Sequence, residues 1–197
     1  MASSKGSIGN IIIVIIAIGV MALFGLGVLF IVLYGFIARP YQVNGHAMNP
    51  TYKNGAYVMA KMGTEIGRND VVIYKSPQNR QVDLIKRVIA LPGDKIRLDS
   101  GSVIINGQKL DESSYVVKES QTDSGTFLRY GEELTVPEKS YFVMGDNRPM
   151  SADSREWGYV MRGDIVGKVI FCYWSCGGET NRSPGARLFS EAKIGAG

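Results

Sequence analysis

The chain has 197 residues with 22 Lys and Arg against 18 Asp and Glu, a net charge of +4, and a mean hydropathy of +0.02 that averages two unlike parts. Residues 1–38 hold one charged side chain, Lys5, so the other 159 residues carry 21 basic and 18 acidic groups, an ordinary soluble balance. A surplus of +3 over a mixed-sign stretch lacks the basic stripe that tracks a nucleic-acid backbone, and one His with two Cys at no ligand spacing argues against zinc, so no nucleic acid, metal or cofactor is expected.

In chain order, residues 1–10 read as a short tail and 11–38 as a transmembrane helix. Those 28 residues contain no Asp, Glu, Lys, Arg, Asn, Gln or His, and as a helix they would reach about 42 Å, enough to span a bilayer with tilt. A cleaved signal sequence has a shorter apolar stretch, about 7–15 residues, before a small-residue cut site. Glycines at 19, 25, 27 and 35 miss the four-residue spacing of close-packed helix pairs, so a lipid-facing anchor is expected. Lys5 and Arg39 flank opposite ends, and charge does not set the orientation. Pro40 ends the helix, having no N–H to donate and forcing Arg39 toward extended backbone.

Residues 39–176 read as a mainly β domain. Short β-like runs recur at 70–74, 102–105, 140–144 and 167–171, and no long segment after residue 38 keeps a helical apolar period. Asn54-Gly55, Pro92-Gly93-Asp94 and Asn106-Gly107 supply turn chemistry, the last as a hairpin into Lys109-Leu110. About residues 98–138 read as a smaller β excursion, and the overlapping stretch 111–139, being polar and irregular, is expected outside the core. Residues 177–197 lack an apolar pattern and read as a loosely held tail.

His46 is the only histidine, and no spacing picks out partners for a Ser/His/Asp triad. A serine activated by a neutral lysine needs no histidine, but the lysine must be buried among apolar groups to lose its proton near neutral pH. Lys86 fits that demand. It lies in Leu84-Ile85-Lys86-Arg87-Val88-Ile89-Ala90-Leu91, where strand alternation puts it with Leu84 and Val88 and puts Arg87 with Ile85 and Ile89.

Three segments follow the apolar span in a fixed order: Gly45-His46-Ala47-Met48-Asn49-Pro50-Thr51, then Lys86-Arg87-Val88-Ile89 with Pro92-Gly93-Asp94, then Gly145-Asp146-Asn147-Arg148 with Ser151-Ala152-Asp153-Ser154-Arg155. Together with the anchor they resemble the bacterial type I signal peptidases, membrane-bound Ser/Lys endopeptidases, in their compact single-anchor Gram-positive form. The resemblance covers the anchor and about residues 40–172. It implies a signal-peptidase-like β core, a location in the cell membrane with the catalytic domain on the extracytoplasmic side, and signal peptides of exported preproteins and the lipid bilayer as partners.

Residue by residue, the resemblance makes Lys86 the general base and Ser151 the hydroxyl that hydrogen-bonds and orients it. It makes Asp153 and Arg155 a bracing ion pair, and Asp146 and Asn147 parts of the same structural box. Met48 and Pro50 hold the turn at the nucleophile, and the N–H of residue 47 is one oxyanion donor. Tyr41, Val43, Met48, Leu84 and Ile85 line two shallow pockets for the small side chains of a small-x-small cut site. Only Arg39 and Pro40 separate the helix from Tyr41, which places the site near the bilayer surface.

This chain departs from the family pattern at two positions. Gly45 stands where some relatives place a serine hydroxyl as a second oxyanion donor. Ala47 stands at the nucleophile itself, and a methyl group cannot attack a carbonyl, so the chain as written is expected not to cleave peptides. One explanation is a Ser-to-Ala change in an active enzyme. Another is a naturally non-catalytic relative acting as a membrane-tethered binding or pilus-assembly factor. Retention of Lys86, costly to bury, and of the Ser151 loop favours the first. A soluble self-cleaving repressor with a Ser/Lys dyad would lack the apolar span. Cys172 and Cys176 can form a disulfide outside the cytoplasm only if the chain turns near residues 175–178, since an extended i to i+4 pair lies about 13 Å apart.

Overall fold

The computed structural model describes residues 5–117 and 120–177. Helix α1 spans Lys5–Ile37, starting six residues before the expected 11 and ending one before the expected 38. The reading of 1–10 as a tail is corrected for 5–10: Lys5 to Asn10 contain no proline, and a long apolar helix extends through adjacent polar residues at little cost once nucleated. Its Asn10–Val32 stretch is long and apolar enough to cross a membrane. Contacts divide the chain at Ala38 into this helical unit and a β unit from Arg39 onward.

The β unit contains β1 (Ala38–Gln42), β2 (Tyr52–Lys61), β3 (Val71–Lys75), β4 (Asp83–Ala90), β5 (Lys95–Asp99), β6 (Ser102–Ile105), β7 (Gln108–Lys109), β8 (Glu133–Thr135), β9 (Ser140–Met144), β10 (Val160–Met161) and β11 (Ile165–Cys176), with a one-turn helix α2 at Ser154–Trp157. One sheet has seven strands in the order β1-β2-β11-β3-β4-β9-β10, and a second has four in the order β7-β6-β5-β8. The mainly β class and the smaller β excursion are therefore present, the small sheet beginning at Lys95 rather than at 98.

Asn106 and Gly107 both have positive φ, 52° and 81°, the backbone of a two-residue hairpin turn whose twist matches its strands. Asn54-Gly55 does something different from the connection expected of it. Both residues lie inside β2, where Gly55 (φ 84°) bends the strand and donates its N–H to the Val43 carbonyl at 2.8 Å. A single left-handed residue can kink a strand as well as close a hairpin.

Segment 111–139 is not outside the core. Tyr115, Leu128 and Val136 are buried in one cluster with Ile89 and Phe142 of the large sheet and Leu98 of the small one. Most of its polar residues are exposed, but Glu112 and Thr122 turn inward to the buried Arg148 described below, so part of the polar sequence here serves an internal network rather than solvent. At the other end, Cys172 and Cys176 form a disulfide with Cα atoms 5.9 Å apart. Register shifts along β11 and the positive φ of Ser175 (51°) provide the required turn. Of the expected tail 177–197, all but Gly177 lies outside the described residues.

Candidate active site

Lys86 sits in β4 opposite Val72 of β3. Leu84, Val72, Tyr74 and Val88 form the apolar cluster on its face, while Ile85 and Ile89 belong to other clusters, as strand alternation requires. Lys86 is 5% exposed. Among the described residues its Nζ has no hydrogen bond or ion pair. Burial pulls its pKa below the ordinary 10.5, an effect partly opposed by Asp153, reinforced by Arg155 and opposed again by Asp146. Desolvation disfavours the ammonium and leaves an amine that can accept a proton.

Ala47 lies in a tight turn. The Asn49 N–H donates to the His46 carbonyl at 3.1 Å and the Tyr52 N–H to the Met48 carbonyl at 2.8 Å. Asn147 grips the same turn twice. Its N–H donates to the Ala47 carbonyl at 3.0 Å, and its side-chain amide donates to the His46 carbonyl at 3.1 Å. Because the C=O and N–H of a trans peptide point in opposite directions, fixing the His46 carbonyl also fixes the Ala47 N–H. That N–H donates to no group among the described residues. Gly45 has φ 93° and donates its N–H to Asn54 Oδ1 at 2.8 Å. A serine at 45 would be strained in this left-handed backbone, so the position sets conformation here rather than offering a second donor.

The box behind the turn is held by charge. Arg87, on the opposite face of β4 from Lys86, donates from Nε and Nη2 to the two oxygens of Asp146 at 2.8 and 2.7 Å. Asp146 also accepts from Thr51 Oγ1 at 2.5 Å. Asp153 accepts from Arg155 Nε at 2.8 Å and Nη2 at 2.9 Å, and from the Gly145 N–H at 3.0 Å. Fork-to-fork pairs of this kind fix orientation as well as distance.

The hydrogen bond implied between Ser151 and Lys86 is not formed. Ser151 Oγ is buried without a partner and is directed at Gly145. A Cβ at 145 would overlap that oxygen and stand 2.5 Å from the Ala47 carbonyl oxygen, so only glycine lets the two loops meet.

Tyr41, Val43, Ala47, Met48, Leu84, Ile85 and Lys86 line one cleft of about 420 Å³. The expected pocket residues, the nucleophile position and the lysine are thus together, while Ser151, Asp146, Asn147, Asp153 and Arg155 are not in the cleft's lining and Asn147 meets it only through the His46–Ala47 turn. Val58 and Ile73 also line the cleft without having been marked in the sequence, since buried strand residues carry no pocket signal of their own. The sequence assigns no individual role to Arg87, Thr51 or Gly145 either. An arginine inside an apolar strand was the one available clue, because a guanidinium is buried only when paired.

In chain order the protein is an N-terminal apolar helix followed by a two-sheet β unit whose cleft holds a buried lysine. Residues 12–174 match the family model described as signal peptidase, peptidase S26, and the chain belongs to that family. It is 36% identical over 166 residues to signal peptidase IB of Staphylococcus aureus, covering 76% of this chain and 86% of that protein. It is 39% identical over 152 residues to signal peptidase I of Bacillus caldolyticus, covering 71% and 81%. The crystal structure of a signal peptidase I from Enterococcus faecalis V583 aligns with 54% of this chain and 98% of that one, at 32% identity and a TM-score of 0.46.

Proposed function

We propose that this protein is a membrane-anchored signal peptidase scaffold whose cleft receives the small-x-small end of a signal peptide on the extracytoplasmic side, and which lacks only the nucleophile. The observation that carries this reading is a buried, unpaired Lys86 lining the same cleft as Ala47. A lysine held this way costs stability and has no structural partner to justify it.

With a serine at 47, Lys86 takes the hydroxyl proton as Oγ attacks the substrate carbonyl. The Ala47 N–H, aimed by Asn147 through the 46–47 peptide, stabilises the oxyanion. The protonated lysine then passes its proton to the leaving amine, and the neutral amine activates water to release the acyl group. With alanine at 47 the cleft binds the peptide, and the covalent step has no oxygen to begin it. The test is Ala47→Ser followed by cleavage of a preprotein with a small-x-small site.

A further inference from the structure

Arg148 lies in the motif that carries Asp146 and Asn147, yet its side chain faces away from both. It is fully buried, and its Nε donates to the Gly145 carbonyl at 3.0 Å. Its two terminal nitrogens reach into the 111–123 segment. Nη1 donates to Glu112 Oε2 at 3.0 Å and to Thr122 Oγ1 at 2.7 Å, and Nη2 donates to Glu112 Oε1. Glu112 also accepts from the Tyr115 hydroxyl at 3.2 Å, and the Tyr115 ring packs 4.2 Å beneath the Arg87 guanidinium. The segment reaches the loop a second time where Arg155 Nη1 donates to the Asp123 carbonyl at 3.1 Å.

We propose that Glu112 is a positioning residue for this site, acting on residues 145–151 through the buried guanidinium of Arg148. Gly145 is the pivot. Its carbonyl is held by Arg148, its N–H by Asp153, and its missing side chain leaves the space shared by Ser151 Oγ and the Ala47 carbonyl. Anchoring Arg148 from outside the loop holds that contact closed and keeps water from Lys86. A charged, bidentate pair suits this because it fixes direction, and a guanidinium left unpaired at this depth would reorient. The inference rests on the peptidase reading only in taking Lys86 as the group whose environment matters.

The test uses Glu112→Gln, which keeps the shape and loses the charge, and Thr122→Val, which removes an acceptor without changing charge. In the full chain with Ala47, the Lys86 titration is followed by the 13C shift of its Cε. The charged groups facing it are Asp153, Arg155 and Asp146. Loosening the loop admits water and moves the titration up in both variants. Direct loss of the Glu112 charge would move it down, so the sign separates positioning from simple electrostatics. In the Ala47→Ser background, kcat falls about tenfold or more with KM little changed, as expected when reacting groups are misplaced. An unmoved or lowered Lys86 titration in folded Glu112→Gln overturns the proposal; should that variant not fold, the same result in Glu112→Asp, which keeps the charge but shortens the reach to Arg148, overturns it. If Ala47→Ser does not cleave while the titration still rises, the brace stands and the peptidase reading falls.

Discussion

The N–H of Asn147 donates to the carbonyl oxygen of Ala47 at 3.0 Å, across a hundred residues of sequence. With the second grip on His46, it makes one asparagine responsible for the direction of the Ala47 N–H, the oxyanion donor of the proposed reaction. Asn147→Ala in the Ala47→Ser background keeps the backbone grip and loses the side-chain one. The expected result is a fall in kcat of about 10²-fold with KM nearly unchanged, the size seen when an oxyanion contact is lost. Steady-state kinetics on a peptide substrate check it.

Lys86 makes stability depend on pH. Burial lowers its folded-state pKa below the ordinary 10.5, so between those two values the unfolded chain binds more protons and stability rises with pH across that window. Below both values the folded state bears the whole cost of a buried ammonium. Lys86→Met removes that cost. Melting curves from neutral to alkaline pH should show the variant more stable at neutrality, with the difference narrowing as pH approaches 10.5. A constant difference would mean that Lys86 is not desolvated.

Asp146 balances Arg87 in a pair whose side chains are 1% and 11% exposed. Asp146→Ala strands a buried guanidinium and the Thr51 hydroxyl, and is expected to destabilise the fold by about 3–5 kcal/mol. Urea unfolding of the two proteins measures this directly.

The Cys172–Cys176 bond closes a short loop next to the nucleophile turn: a side chain at Gly177 would overlap the Pro50 carbonyl. So short a loop restricts the unfolded chain only modestly. Replacing both cysteines by serine should cost about 2 kcal/mol, read as a lower denaturation midpoint with an unchanged slope.

Features that depend on neighbours along the chain were legible in the sequence. The apolar span, the strand around Lys86 with its alternating faces, and the Asn106-Gly107 hairpin follow from local periodicity and turn chemistry. Asn54-Gly55 misled because the backbone that closes a hairpin also bends a strand. The excursion misleads because some of its polar groups serve partners far away in sequence: Glu112 and Thr122 lie 36 and 26 residues from Arg148, and the Asp123 carbonyl lies 32 from Arg155. Burial at such a distance leaves no periodic mark. The Ser151–Lys86 bond failed for a related reason. Resemblance brings residues to one place but does not aim an oxygen, and here Ser151 Oγ occupies the space left by the missing side chain of Gly145.

The most direct measurement is cleavage of a membrane-targeted preprotein with a small-x-small site by the Ala47→Ser chain, beside the unaltered chain and the Ala47→Ser, Lys86→Ala double variant. The account predicts cleavage after the small residue by Ala47→Ser alone, with rates rising with pH as Lys86 loses its proton. No cleavage by a folded Ala47→Ser protein with Lys86 intact would contradict it, and would favour a membrane-tethered binding protein without chemistry.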